Sequence, residues 1–160
     1  LPVIEQLLHA QHYGLPTRLL DWSTNPLKAL FFAVEDPQFD KVDGVVFSTW
    51  PDFWSEDTKH ALEENEFVAF FPELVHERIS AQDACFIAFP LSEESMSVPE
   101  LTSSTLPRGI PVLQKILIPA ASKMDLRRQL STLGITHRSV YPGLEGTTRW
   151  IKSELSNFTL

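Results

Sequence analysis

One cysteine, Cys85, is all that the chain contains. It excludes an internal disulfide framework and suits a reducing compartment. No apolar stretch approaches the length of a membrane span, and no signal-peptide pattern opens the sequence. The expected setting is therefore cytoplasmic, with no membrane partner. Basic charge is scarce: 13 Lys and Arg stand against 21 Asp and Glu, a net charge of −8, and no Lys/Arg run offsets it. That balance disfavours a grip on nucleic-acid phosphates, so no direct nucleic-acid partner is expected. Also missing are a Gly-x-Ser-x-Gly elbow, a Walker loop, a dinucleotide Gly-x-Gly-x-x-Gly and a His-Glu-x-x-His pair. Their absence argues against the common hydrolase, P-loop and zinc-protease plans.

What the chain does have is an ordinary globular composition, 43% hydrophobic and 21% charged over 160 residues. That is enough for one domain spanning 1–160 with a sizeable core. Its chemistry concentrates in residues 11–35. Gly14 and Pro16 bend the backbone around Leu15. Thr17, Arg18, Asp21, Trp22 and Ser23 follow, with Leu19 and Leu20 as apolar anchor. Ser23 or Thr24 can cap a helix, and Asn25-Pro26 suits a helix start. Leu27, Leu30, Phe31 and Val34 then recur at helical spacing. A polar loop thus feeds the positive end of a helix, an arrangement that favours a bound anion.

Each distinctive side chain in this stretch has two readings. Arg18 can hold a phosphate bidentately or pair with Asp21. Tyr13 and Trp22 can stack on a ligand ring, or else Tyr13 makes one buried hydrogen bond and Trp22 fills the core. His12 can be an acid/base near neutral pH or a satisfied internal histidine. His9 and His12 share a helical spacing, but no Cys or carboxylate clusters with them, so no metal is predicted.

Along the rest of the chain, Leu1–Gln11 reads as a short helix. Residues 36–43 read as a polar connection and Gly44–Thr49 as a buried strand. Trp50, Phe53 and Trp54 read as core in preference to a surface cover over the site, and Asp57–Asn65 as a helix. Phe67–Phe71 is a second apolar run, and a strand at Cys85–Phe89 contains the thiol as inert packing. Residues 91–109, dense in Ser, Thr, Glu and Pro, read as a long loop. A strand at Ile110–Ile118 precedes a helix from Pro119 to Gly134, with Ser122 as cap and Leu126, Leu130 and Leu133 inward. Ile135–Tyr141 reads as a last strand and Leu144–Leu155 as a terminal helix. The expected class is α+β, with a mixed central β-sheet flanked by helices.

Gln11-His12-Tyr13-Gly14, Pro16-Thr17-Arg18-Leu19-Leu20-Asp21-Trp22, Asn25-Pro26-Leu27 and Ala29-Leu30-Phe31-Phe32-Ala33 resemble the core motif of the FRG domain family. Arg78 to Phe86 resembles that family's Arg-x-x-x-Gln-x-x-x-Phe segment. Gly134-Ile135 through Tyr141-Pro142-Gly143-Leu144-Glu145-Gly146 resembles its closing Pro-Asp-Leu-x-Gly segment, with Gly143 in place of Asp. The naming Phe/Tyr-Arg-Gly motif has no counterpart, since the only Arg-Gly is Arg108-Gly109. The resemblance therefore implies a first strand upstream of this sequence. It also implies a bacterial or phage-related protein of a defence or toxin system.

The order of elements is similar, more distantly, to ADP-ribosyltransferases. That likeness implies NAD as substrate, in a transferase or NAD-cleaving reaction. His12, Asp21 and Gln82 are then the expected catalytic residues, with Gln82 near a position where a Glu is usual. Tyr13, Arg18, Trp22, Ser23 and Arg78 are the expected substrate-binding residues, and Asp21 or Glu145 can offer negative charge. The partners implied are a nucleotide or small-molecule ligand and a protein target. The other reading is a non-enzymatic recognition module that binds a nucleotide, a peptide or a phage component through the same residues.

Overall fold

Strong caps and short apolar runs make short elements, and the chain is built of them. The computed structural model describes residues 3–56, 66–73, 76–91, 98 and 109–156. Helix α1 spans Val3–His12, strand β1 Leu19–Ser23, α2 Pro26–Val34, β2 Gly44–Thr49 and β3 Val68–Phe70. Then follow α3 at Glu77–Ala81, β4 at Ala84–Ala88, β5 at Leu113–Ile118, α4 at Lys123–Thr132, α5 at His137–Val140 and α6 at Gly143–Ser156. The class is α+β, as expected. The strands form two small sheets, one of order β1-β4-β3 and one pairing β2 with β5, where a single mixed sheet was expected. β3 and β4 are antiparallel, with Val68 opposite Ala88 and Phe70 opposite Phe86. The amide of Phe89 donates to the Arg18 carbonyl and that of Thr24 to the Asp83 carbonyl, each at 2.9 Å. These bonds bracket β1 and β4 and make that pair antiparallel too. Among the described residues no helix is long and apolar enough to cross a membrane.

The chain divides into two compact units. The first comprises Leu1–Trp22, Phe47–Leu74 and Ala84–Gln114. Its core gathers Ala69, Ile87, Phe89 and Ile110, with Trp22 and Phe67 packed against them. All three residues of β3 are buried, so this strand is covered on both faces, which its unbroken apolar run already suggests. The Phe67 and Phe89 rings meet edge-on at 4.6 Å, a favoured geometry because a positive ring edge faces a negative ring face.

The second unit comprises Ser23–Val46, Val75–Asp83 and Lys115–Leu160. Its core joins α2 to β5, α4 and α5 through Phe31, Val34, Ile118, Leu130, Val140 and Tyr141. α2 starts at Asn25-Pro26 as the sequence predicts, but its cap is Asn25 and not Ser23 or Thr24: the Asn25 side chain accepts from the Leu27 amide at 3.0 Å, and Pro26 follows at the first helical position. Its other end is held by a side chain far along the chain. Arg127 donates to the Val34 carbonyl at 2.7 Å and, bidentately, to the Asp40 carboxylate at 2.6 and 2.5 Å. One guanidinium thus satisfies an orphan helix carbonyl and orients the following turn. Gly44 starts β2 where a Cβ would lie 2.8 Å from the Ala33 carbonyl oxygen.

Several expectations are corrected. Residues 19–23 form β1 and not a loop, because β4 supplies backbone partners that the local sequence cannot announce. Residues 137–140 are helix α5 and not a strand. Thr136 and Ser139 form a reciprocal capping box there, with the Thr136 amide on the Ser139 hydroxyl at 2.9 Å, and this local cap starts a helix where a strand was expected. β2 is half-buried, with Phe47 50% exposed, since a two-stranded sheet shields little of its own surface. Trp50, Phe53 and Trp54 are exposed and not core, and so is Leu133, just past α4. Ser122 precedes α4 but makes no capping bond. β5 begins at Leu113, three residues later than expected. The helix expected over 57–65 and most of the loop expected over 91–109 lie outside the described residues.

Gly146 gives a direct test of the packing of α5 and α6. A Cβ at this position would collide with the main-chain oxygen of Tyr141 and lie 2.7 Å from that of His137. Both neighbours are backbone and cannot swing away. Gly146→Ala is expected to cost about 3 kcal/mol, the upper end of ordinary overpacking. Denaturant unfolding of the two proteins checks this.

Candidate functional site

Five of the expected site residues lie in the first unit. The Gln11 amide, from the end of α1, donates to the Asp21 carboxylate on β1 at 2.7 Å. The Thr17 hydroxyl donates to the Gln11 amide oxygen and itself accepts from the Leu19 amide at 3.2 Å. The Gly-Leu-Pro bend is thereby stapled between α1 and β1. Arg18 donates to the Phe89 carbonyl at 3.2 Å, and partial burial holds its pKa below the ordinary value. His12 and Tyr13 meet edge-on at 5.2 Å, with Tyr13 82% exposed. Trp22 packs on the core, and its buried indole N–H has no hydrogen-bond partner. Cys85 is buried in β4, and burial lifts its thiol to about 11. It stays protonated at neutral pH, so inert packing is what the sequence had implied.

The other three lie in the second unit. The Ser23 hydroxyl donates to the Gln82 carbonyl at 2.7 Å. The side-chain amide nitrogen of Gln82 is buried without a hydrogen-bond partner. Next to it, Asp83 adopts φ of 47°, a left-handed conformation that aspartate tolerates better than most residues. Lys28 and Asn25, from the start of α2, bind its carboxylate at 2.6 and 3.0 Å. The Lys28 ammonium is the main reason that Asp83 titrates below the usual carboxylate range.

Arg78 belongs to a denser constellation in the same unit. Glu35, which follows α2, accepts a 2.7 Å hydrogen bond from the Tyr141 hydroxyl. The other Glu35 oxygen is buried without a hydrogen bond, and His137 Nε2 of α5 approaches it to 3.5 Å. Burial raises the Glu35 pKa against the opposing effect of the Tyr141 bond. Burial lowers the pKa of His137, and the Arg149 charge adds to that effect. Burial and the Glu35 bond push Tyr141 up. The spacing of Glu35 and His137 suits an ion pair, yet desolvation opposes charge on both, so a neutral imidazole faces this carboxyl. The guanidinium groups of Arg149 and Arg78 lie 4.1 and 5.4 Å from the Tyr141 ring centroid.

This constellation joins the central stretch to the two later motif segments. Glu35 is the last residue of that stretch, Arg78 opens the Arg-x-x-x-Gln-x-x-x-Phe segment, and Tyr141 and Glu145 lie in the closing one. The FRG domain family model matches residues 2–41. The resemblance is therefore borne out over that segment, about a quarter of the chain. The FRG match takes in α1, β1 and α2, and with them Gln11, Asp21, Glu35 and Asp40. No curated protein and no solved structure matches the chain. Among the described residues no three His, Cys, Asp or Glu side chains gather as a metal would require.

Glu35, His137 and Arg149 escaped the sequence reading as site residues. Glu35 is the final residue of the central stretch, and its place just after an apolar helix is a weak signal. His137 and Arg149 carry none, because only folding brings α5 and α6 to the end of α2.

The linkage of Glu35 to stability has a definite sign. The folded chain holds the Glu35 proton above the ordinary value of 4.5. It therefore binds more protons than the unfolded chain just above that pH, and stability falls as pH rises through the window from 4.5 up to the raised value. His137, lowered from 6.5, acts in the opposite direction in the window below 6.5. The stability of the native protein relative to Glu35→Gln, which keeps an acceptor for Tyr141, is expected to decline as pH rises from 4.5. Denaturant unfolding across a pH series measures it. At neutral pH, Tyr141→Phe is expected to cost about 1–3 kcal/mol by leaving a buried carboxyl oxygen unpaired.

Proposed function

We propose that Glu35, Tyr141 and His137 form the acid/base centre of an FRG-type domain that acts on a nucleotide such as NAD. The observation that carries this reading is the convergence of three groups with shifted pKa values on one cluster. Such clusters mark functional sites more often than isolated shifts do. The reaction is of ADP-ribosyltransferase or NAD-cleaving type, in a cytoplasmic defence or toxin protein of bacterial or phage-related origin. The C–N bond to nicotinamide breaks and its electron pair leaves with nicotinamide. The Glu35 carboxylate faces the positive charge left on the ribosyl carbon. Water or an acceptor group of a target protein adds to that carbon, and the neutral His137 imidazole takes its proton.

A second reading rests on a different observation. In the first unit the polar motif side chains of Gln11, Thr17 and Arg18 bond internally. The side chains of Tyr13, Leu15, Trp50 and Phe53 are exposed there. Exposed rings and apolar side chains of this kind suit a recognition module for a nucleotide, a peptide or a phage component without chemistry.

Incubation of the intact protein with NAD, with nicotinamide release followed by chromatography, decides between them. The enzyme reading expects release, reduced about 100-fold or more in Glu35→Gln with its circular dichroism unchanged. His12→Ala, Arg18→Ala and Gln82→Ala in the same assay test the roles expected for those residues. No release in the presence of candidate acceptors, or an unaffected Glu35→Gln, removes the enzyme reading and leaves the recognition module.

A further inference from the structure

Glu145 stands at the beginning of α6 and is held by two arginines. Arg149, one helical turn on, approaches one of its oxygens to 3.1 Å through both Nε and Nη2. Arg78 Nη1, from α3, lies 3.6 Å from the other oxygen. Both guanidinium groups also lie against Tyr141, whose hydroxyl is bound to Glu35. The side chains of Arg78, Arg149 and Glu145 are 33%, 44% and 42% exposed. A ligand from solvent can therefore reach all three.

Ion pairs with this degree of exposure hold weakly, because water screens them and long side chains lose freedom in making them. A phosphate offers the same guanidinium groups more oxygens and at least as much negative charge as one carboxylate. From this we infer that Arg78 and Arg149 form a binding site for a phosphate-bearing ligand, and that Glu145 is its exchangeable internal competitor. The inference deepens the nucleotide reading above and rests on it for the nucleotide part of the ligand. The shared chemistry is the phosphate. Bound there, it lies beside Tyr141 and so next to the cluster that contains Glu35. The Glu145 carboxylate swings into solvent when the ligand enters, which makes occupancy a contest between two anions.

Calorimetric titration of the full chain with ADP and, separately, with inorganic pyrophosphate tests this. Removing the competing charge in Glu145→Gln is expected to tighten binding about tenfold. A misfolded variant cannot produce a gain of that kind. Arg149→Gln and Arg78→Gln, with unchanged circular dichroism, are expected to weaken binding about tenfold or more. Binding of ADP alone identifies a nucleotide site, and equal binding of pyrophosphate identifies a general phosphate site. Either result supports the inference. Absence of binding to both the native protein and Glu145→Gln at millimolar probe overturns it, as does equal binding by Arg149→Gln. Binding retained in a protein that releases no nicotinamide keeps the phosphate site while removing the enzyme reading.

Discussion

The hydrogen bond from the Tyr141 hydroxyl to Glu35 is the constraint on which the second unit turns. It ties the residue after α2 to the segment between α5 and α6. The Tyr141 ring is itself buried beside Phe31 and Val34. A carboxyl placed in such surroundings must be paired or protonated, because an apolar setting penalises its charge. Tyr141 supplies the pairing on one oxygen and His137 stands near the other. The arginines that lie against the ring supply positive charge. Packing and electrostatics therefore cannot be separated here: the ring that fills the core also orients the titratable groups.

The same economy governs the ends of α2. At its start Asn25 caps the helix and also reaches Asp83, joined there by Lys28. At its end Arg127 closes the Val34 carbonyl and clamps Asp40. A nine-residue helix is marginal by itself, and such tertiary contacts at both termini, with its apolar face buried, hold it. The FRG match ends at residue 41, just beyond this clamp. The first unit relies instead on a buried strand pair. β3 and β4 bury aromatic and small residues against each other, and the Gln11–Thr17–Asp21 bonds fasten the bend that leads into β1.

Much of this was legible before any coordinates. The Asn25-Pro26 start of α2, the limits of β2, the buried thiol of Cys85 and the stop at Gly134 follow from caps, breakers and apolar runs, which act within a few residues. What the sequence misled about is equally local in origin. Residues 135–141 read as a strand, yet Thr136 and Ser139 cap each other and start a helix. Trp50, Phe53 and Trp54 have the composition of a core and lie exposed. The candidate site was half legible. Arg78 was singled out and Glu145 noted for its charge, whereas Glu35, His137 and Arg149 were not, because their significance lies in distances between elements.

By itself the sequence determined the α+β class, the placing of most elements and the FRG motif, since these depend on short-range sterics, capping and periodicity. Only the tertiary structure decided that strands so alike divide into two small sheets, and that residues 19–23 become one of them. It alone decided that Glu35, Arg78, Tyr141 and Arg149, spread over more than a hundred positions, meet around one aromatic ring. The reason is physical. A pKa shift or a shared carboxylate depends on burial and on separations of a few ångströms, and neither quantity is written in the order of residues along a chain.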